Sequence, residues 1–244
     1  MRYYTNNDFL FENLYLSNPY ELQGGKSYLS KIRINNDDDV LIQFPKCKTK
    51  NGFCKNNTHN YIDLLFNDYD EKLKEWVNNI KNKIIQLIYE KNNEWFSNDV
   101  SLEDINNNFI NFIKKYKNKL LLKVLINKKE LKNIKIYDDK NNIKNFSNIT
   151  NNSEIIPLLE LNGLKFSSST FIIIFKLKQV MIIDDSIKIE NIYNKTNNNN
   201  NNNDKNMKDY DSDDSDILNL NILNNFTDDD DDDDGDDDDS DDED

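Results

Sequence analysis

At about residue 194 this 244-residue chain changes from one kind of polymer into another, and no other property of the sequence limits its folding as strongly. Residues 1–193 hold 28 basic and 24 acidic side chains, a formal charge of +4, together with the dense apolar clusters of the sequence. Residues 194–244 hold 21 acidic side chains and 3 lysines, a formal charge of −18. A run such as Asp228 to Asp234 repels itself and has no apolar surface whose burial could offset the entropy lost on ordering. The expected organisation is a folded domain over residues 1–193 and a disordered tail over residues 194–244. The tail opens with an Asn run, Asn197 to Asn203, and carries one apolar island, Ile217 to Phe226.

Several classes of protein are excluded at this level. No apolar run approaches the roughly 18 residues of a membrane span, and MRYYTNNDF lacks the apolar stretch of a secretory signal. Two cysteines argue against a disulfide scaffold and point to a reducing, intracellular compartment. His59 is the single histidine, which removes His-based general-base catalysis and multi-His metal sites. Cys47, Cys54 and His59 lack a fourth ligand and the tight spacing that zinc prefers. The phosphate-cradling glycine patterns are absent. The expectation is a non-enzymatic protein without cofactor, metal or membrane partner. The chain also has no alanine and only two arginines, with abundant Asn, Lys, Ile and Asp. That is the imprint of AT-rich coding, so Asn positions carry little functional information.

Along the chain, Tyr28 to Ile34 and Val40 to Phe44 alternate as the two strands of a hairpin. Residues 46–59 read as a basic loop around Asn51-Gly52, and Tyr61, Leu64 and Leu65 have helical spacing. From Asp70 to Lys91 the apolar positions Leu73, Trp76, Val77, Ile80, Ile84, Leu87 and Ile88 recur at three- and four-residue steps, predicting a helix with Trp76 in its core stripe. Trp95-Phe96 would seal its end. Ser101 caps a further helix running to about Tyr116. Beyond Leu120 the period changes to two, predicting strands at Leu120–Ile126, Asn133–Tyr137, Ile155–Leu161, Thr170–Ile183 and Ile187–Tyr193, with a turn at Asn162-Gly163. Strands, then helices, then strands give a mainly β, α+β fold, or a β-barrel with a helical insertion at about residues 60–117.

The candidate binding residues follow from this layout. Lys46, Lys48, Lys50 and Lys55 interleave with Phe44 and Phe53, which supplies cations for a backbone path and rings for base stacking within a dozen residues. Lys123, Lys176 and Lys178 stand on strand faces opposite clean apolar faces. A tethered polyanion beside such a cationic surface can compete with nucleic acid for it.

The segments Ile155 to Ile183 (IIPLLELNGLKFSSSTFIIIFKLKQVMII), Phe44 to Gly52 (FPKCKTKNG) and Tyr61 to Phe66 (YIDLLF) resemble the phage-type single-stranded DNA-binding protein family of nucleo-cytoplasmic large DNA viruses, over roughly residues 10–185. The resemblance implies an OB-fold barrel with an acidic C-terminal tail, and sequence-independent binding of single-stranded DNA in viral DNA replication, recombination and repair. It further implies contact with a polymerase or helicase through the tail, a frequent homodimer, and a viral replication compartment in the host cytoplasm or nucleus. Residues Phe44 to Lys55, with Lys176 and Lys178, would touch DNA. The phage prototype ends its tail in an aromatic residue, whereas this chain ends in Asp244. Ile217, Leu218, Leu220, Leu223 and Phe226 of the island would stand in for it. The competing expectation is an acidic chaperone or virion scaffold protein that binds basic partner proteins through its tail.

Overall fold

Alternation of apolar and polar residues, rather than helical periodicity, organises most of the folded region. The computed structural model describes residues 3–5, 9–22, 24–35, 38–55 and 60–183. The first strands are β1 (Tyr3–Thr5), β2 (Leu14–Leu16), β3 (Tyr20–Glu21), β4 (Tyr28–Ile34), β5 (Asp38–Asp39), β6 (Leu41–Gln43), β7 (Cys47–Lys55) and β8 (Asn60–Asn67). Three helices follow, α1 (Glu71–Glu90), α2 (Asn92–Trp95) and α3 (Leu102–Asn107). The remaining strands are β9 (Phe109–Ile110), β10 (Ile113–Tyr116), β11 (Lys119–Ile126), β12 (Lys135–Asp138), β13 (Glu154–Phe166) and β14 (Phe171–Ile182).

The pairings close on themselves. β13 runs antiparallel to β14 along nearly its whole length and meets β7 at Glu154 and Ile155. β7 pairs with β8, β8 with β11, and β11 with β10, all antiparallel. Two residues before β10, β9 pairs in parallel with β14 and completes the ring. The result is an OB-like α+β barrel with α1 to α3 inserted between β8 and β9. The free edge of β13 is taken in turn by β7, β6 and β4, so this one strand ties the barrel to the N-terminal hairpins.

The inner face is apolar. Ile62, Leu64 and Phe66 of β8 are buried with Leu120, Leu122, Val124 and Ile126 of β11 and with Phe171, Ile173, Phe175 and Leu177 of β14. Helix α1 plugs one end of this core. Asp70 caps it by accepting a hydrogen bond from the Leu73 amide at 3.0 Å, and Leu73, Trp76, Ile80, Ile84, Leu87 and Ile88 form its buried stripe. Trp76 meets Phe44 edge-on at 5.4 Å and Phe9 at 6.0 Å, and truncating a ring so enclosed costs roughly 3–5 kcal/mol.

Five sequence expectations are corrected. The hairpin of residues 28–34 with 40–44 does not form: β4 pairs with β2, β3, β5 and β13, and β6 with β1 and β13, because each takes its own stretch of the β13 edge. Residues 61–66 are strand, not helix: Leu65 points outward between the inward Leu64 and Phe66, and the adjacent leucines imitate a helical pair. The basic loop is strand β7, with Asn51-Gly52 forming an irregularity between Thr49 and Phe53 rather than a turn. The helix capped by Ser101 stops at Asn107, and residues 109–110 and 113–116 are strand, because Phe109-Ile110 and IKKY find sheet partners on β14 and β11. Asn162-Gly163 is a bulge inside the continuous β13, and the chain reverses instead at residues 167–170. Helix thus occupies less of the insertion than the sequence suggests. The strand expected at Ile187–Tyr193, His59 and the whole tail lie outside the described residues.

Candidate nucleic-acid interface

In an antiparallel sheet, residues directly opposite each other share a face. With Ile62, Leu64 and Phe66 inward, the outward face of β7, β8, β11 and β10 is determined by register. Lys48, Leu65, Leu121 and Lys114 form one row across the four strands. Cys54, Tyr61 and Leu125 form a second, Asp63 and Lys123 a third, and Asn67, Lys119 and Tyr116 a fourth. This face is a mixture of lysine, tyrosine and leucine, with two tyrosine rings at separate places on it.

Each ring lies beneath an ammonium group. Lys123 Nζ stands 4.3 Å from the Tyr61 centroid and Lys50 Nζ stands 4.2 Å from the Tyr116 centroid, within the range of cation–π attraction. Lys117 Nζ approaches the same Tyr116 ring at 5.7 Å. The buried carboxylate of Asp63 lies 3.7 Å from Lys123 Nζ and fixes that lysine over Tyr61. Among the described residues, Lys50, Lys114 and Lys119 have no carboxylate partner. At one margin, Glu154 on β13 stands opposite Lys48. Its Oε2 accepts from Lys46 Nζ at 2.9 Å and its Oε1 lies 3.7 Å from Lys48 Nζ. The hydrogen bond from Lys46, and the charges of Lys46 and Lys48, hold this carboxyl below its ordinary titration range.

The structure distributes the nine candidate residues unevenly. Lys48, Lys50 and Lys123 come together on the outward face, with Lys46 at its margin. Phe53 lies opposite the inward Ile62 and packs against Phe146 with centroids 4.2 Å apart, away from the platform. Lys55 Nζ is 5.7 Å from that same Phe53 ring. Phe44 is 1% exposed and enclosed by Phe66, Trp76 and Phe175, so it offers no face to a base. Its alternation partner Ile42 is equally buried, and the aromatic positions next to the lysines belong to the core. Lys176 bonds Glu130 Oε1 at 3.0 Å and Lys178 lies 2.6 Å from Glu160 Oε2, on the outer face of β14. Both charges are matched locally, and β14 is separated from β8 by β13 and β7. Residues 217–226 lie outside the described residues. Sequence reasoning missed Tyr61, Tyr116, Lys114 and Lys119; a period-two reading of YIDLLF, IKKY and KLLLKVLI would have placed all four outward.

Cys47 is buried, which pushes its thiol far above the ordinary range, and Cys54 is half-buried on the sheet face. Cys47 therefore lacks the lowered pKa of a reactive thiol.

A family model matches residues 63–196, and the chain belongs to that family, whose description is a family of unknown function (DUF5871). The match begins in β8 and takes in all three helices, β11, β13 and β14. The search of curated proteins found no match. Among solved structures, the chain is similar to gp2.5, a single-stranded DNA-binding protein encoded by bacteriophage T7, at 12% identity over 60% of this chain and 87% of that one, with a TM-score of 0.38. It is similar to the single-stranded DNA-binding protein of bacteriophage Enc34 in its C-terminal truncation, at 11% identity over 71% and 94%, with a TM-score of 0.36. The Enc34 protein in complex with single-stranded DNA matches at 11% identity over 70% and 95%, with a TM-score of 0.33.

Proposed function

We propose that this chain is a non-enzymatic, sequence-independent single-stranded DNA-binding protein. The observation that carries the reading is the pair of lysine-capped tyrosines on one sheet face, Tyr61 under Lys123 and Tyr116 under Lys50. Every base has a π-face, so ring stacking binds without reading sequence, while Lys50, Lys114 and Lys119 follow the phosphates beside the rings. A duplex keeps its bases stacked internally and cannot use the tyrosines. The platform therefore favours unpaired strands.

The finer role rests on the resemblance of the segments at Phe44–Gly52, Tyr61–Phe66 and Ile155–Ile183. It is the replication, recombination and repair of viral DNA, inside an intracellular replication compartment. The acidic tail would mask the empty platform and recruit a polymerase or helicase through Ile217, Leu218, Leu220, Leu223 and Phe226, and the chain would act as a homodimer. Masking is supported by charge: a tail of −18 is joined to a body of +4 that presents Lys46 and Lys48 largely exposed.

The test is fluorescence anisotropy of labelled oligo-dT with the full chain and with the triple variant Lys50→Gln, Lys114→Gln, Lys119→Gln. Binding should be tight at low salt, weaken steeply with added salt, and have a log–log slope shallower by about 2 in the variant, at roughly 0.7 per lost phosphate contact. Oligo-dT ignored at low salt, with polycations bound instead, would favour the acidic chaperone reading.

A further inference from the structure

The most confined ion cluster at the edge of the platform is the one that bridges two of its lysines. Glu154 opens β13 directly opposite Lys48 and offers one carboxylate oxygen to each of two lysines, Lys46 at 2.9 Å and Lys48 at 3.7 Å. The lysine side chains are 55% and 54% exposed, the glutamate only 19%. The acid is therefore more enclosed than the two cations it bridges. Its backbone is held from both sides. Ile155 is paired with Cys47 and with Ile182, and the Glu154 carbonyl accepts from Ile183. A carboxylate whose two oxygens reach separate ammonium groups has the geometry of a phosphodiester bridging the same groups.

Resting on the nucleic-acid reading above, we propose that Glu154 is an internal competitor for phosphate. A strand gains Lys46 and Lys48 as contacts only by exchanging with this carboxylate. The consequence is selectivity. The exchange is a net gain only for a ligand already anchored by the rings and by Lys50, Lys114 and Lys119. A lone phosphate, or an oligonucleotide too short to span the platform, meets two lysines already neutralised. The remaining carboxylates near this face act differently: Asp63 supports Lys123 over a ring, and Asp68 pairs with Lys74 and Lys115 at the far edge. Asp68 also spans two lysines, but it follows β8 and its Lys74 belongs to α1.

The experiment compares the full chain with Glu154→Gln in oligo-dT anisotropy titrations across a salt series. Glu75→Gln, on the exposed side of α1, serves as a control for the loss of one negative charge. Glu154→Gln should bind about three- to tenfold more tightly at low salt, as expected for releasing partly exposed ion pairs. Its log–log salt slope should steepen by about 0.7–1.4, for one or two added phosphate contacts, while Glu75→Gln leaves the slope unchanged. Lys46→Gln with Lys48→Gln should weaken binding clearly in the Glu154→Gln background and barely in the parent. Glu154→Thr, which suits a strand, repeats the test should glutamine disturb the sheet. Binding by all variants with the parental slope overturns the competitor role and leaves the platform intact. Oligo-dT bound by neither parent nor variant overturns the nucleic-acid reading, and the competitor falls with it.

Discussion

Tyr61 and Tyr116 reach the outward face through alternation, since each becomes an outward residue only once its neighbours are committed to the core. Tyr61→Ala and Tyr116→Ala should each weaken oligo-dT binding by about 5- to 150-fold, the range of about 1–3 kcal/mol for one stacked base, with thermal stability little changed. Anisotropy beside a melting curve checks both. Phe44→Ala makes the opposite contrast: it should destabilise the fold by roughly 3–5 kcal/mol through a cavity next to Trp76, and affect DNA only through unfolding. The lysines were legible in the sequence because charge is a property of the residue itself. The tyrosines were not, because exposure depends on register. Asp138 yields a prediction of another kind. Hydrogen bonds from the Asn142 side chain and amide, from Lys144 and from the Lys140 amide lower its carboxyl to about 2. A depressed folded-state value means that Asp138 stabilises the fold above its ordinary value near 3.8 and loses this contribution as pH falls toward 2. The melting temperatures of the parent and Asp138→Asn should therefore differ at pH 6 and converge between pH 4 and pH 2. A gap that widened on acidification would contradict the assignment.

Among the elements, β13 shows where local signals mislead. Asn-Gly is a strong hairpin signal, and Asn162-Gly163 sits between two apolar runs, yet the strand passes straight through it. The reason is steric. A Cβ at position 163 would lie 2.7 Å from the Ser30 carbonyl oxygen, so glycine serves there to let β4 approach a bulged β13. Gly52 combines a positive φ of 70° with an imagined Cβ only 2.5 Å from Ile149 O, which fits a strand irregularity pressed against the segment before β13. Helix α1, by contrast, was fully legible, because seven apolar residues at helical spacing and an Asp cap leave no other solution. The stretch after α3 was not, since β9 is decided by Phe171 and Ile172, far along the chain on β14. Gly52→Ala should cost roughly 3 kcal/mol, combining left-handed strain with backbone overlap. Gly163→Ala should lower the melting temperature and loosen the Ser30 contact, seen as faster amide exchange in β4. A Gly163→Ala protein as stable as the parent would show that β13 can move away from β4 at little cost.

For the whole molecule, the charge break at residue 194 sets the electrostatics. The body carries +4 and the tail −18. If the tail masks the platform as proposed, its tethered Asp run competes for the platform lysines without diffusing to them from solution. The screening length at physiological salt is only about 8 Å, so the competition acts at close range and fades as salt rises. Replacing Asp228 to Asp234 with Asn in the full chain should tighten oligo-dT binding by about tenfold at 50 mM salt, and by much less at 0.5 M. The two salt series should converge from different slopes rather than run parallel, because the tail is itself a salt-sensitive ligand of the same lysines. Parallel series, or equal affinities at low salt, would mean that the polyanion acts away from the DNA surface. The acidic tail would then have to be explained by a basic partner protein.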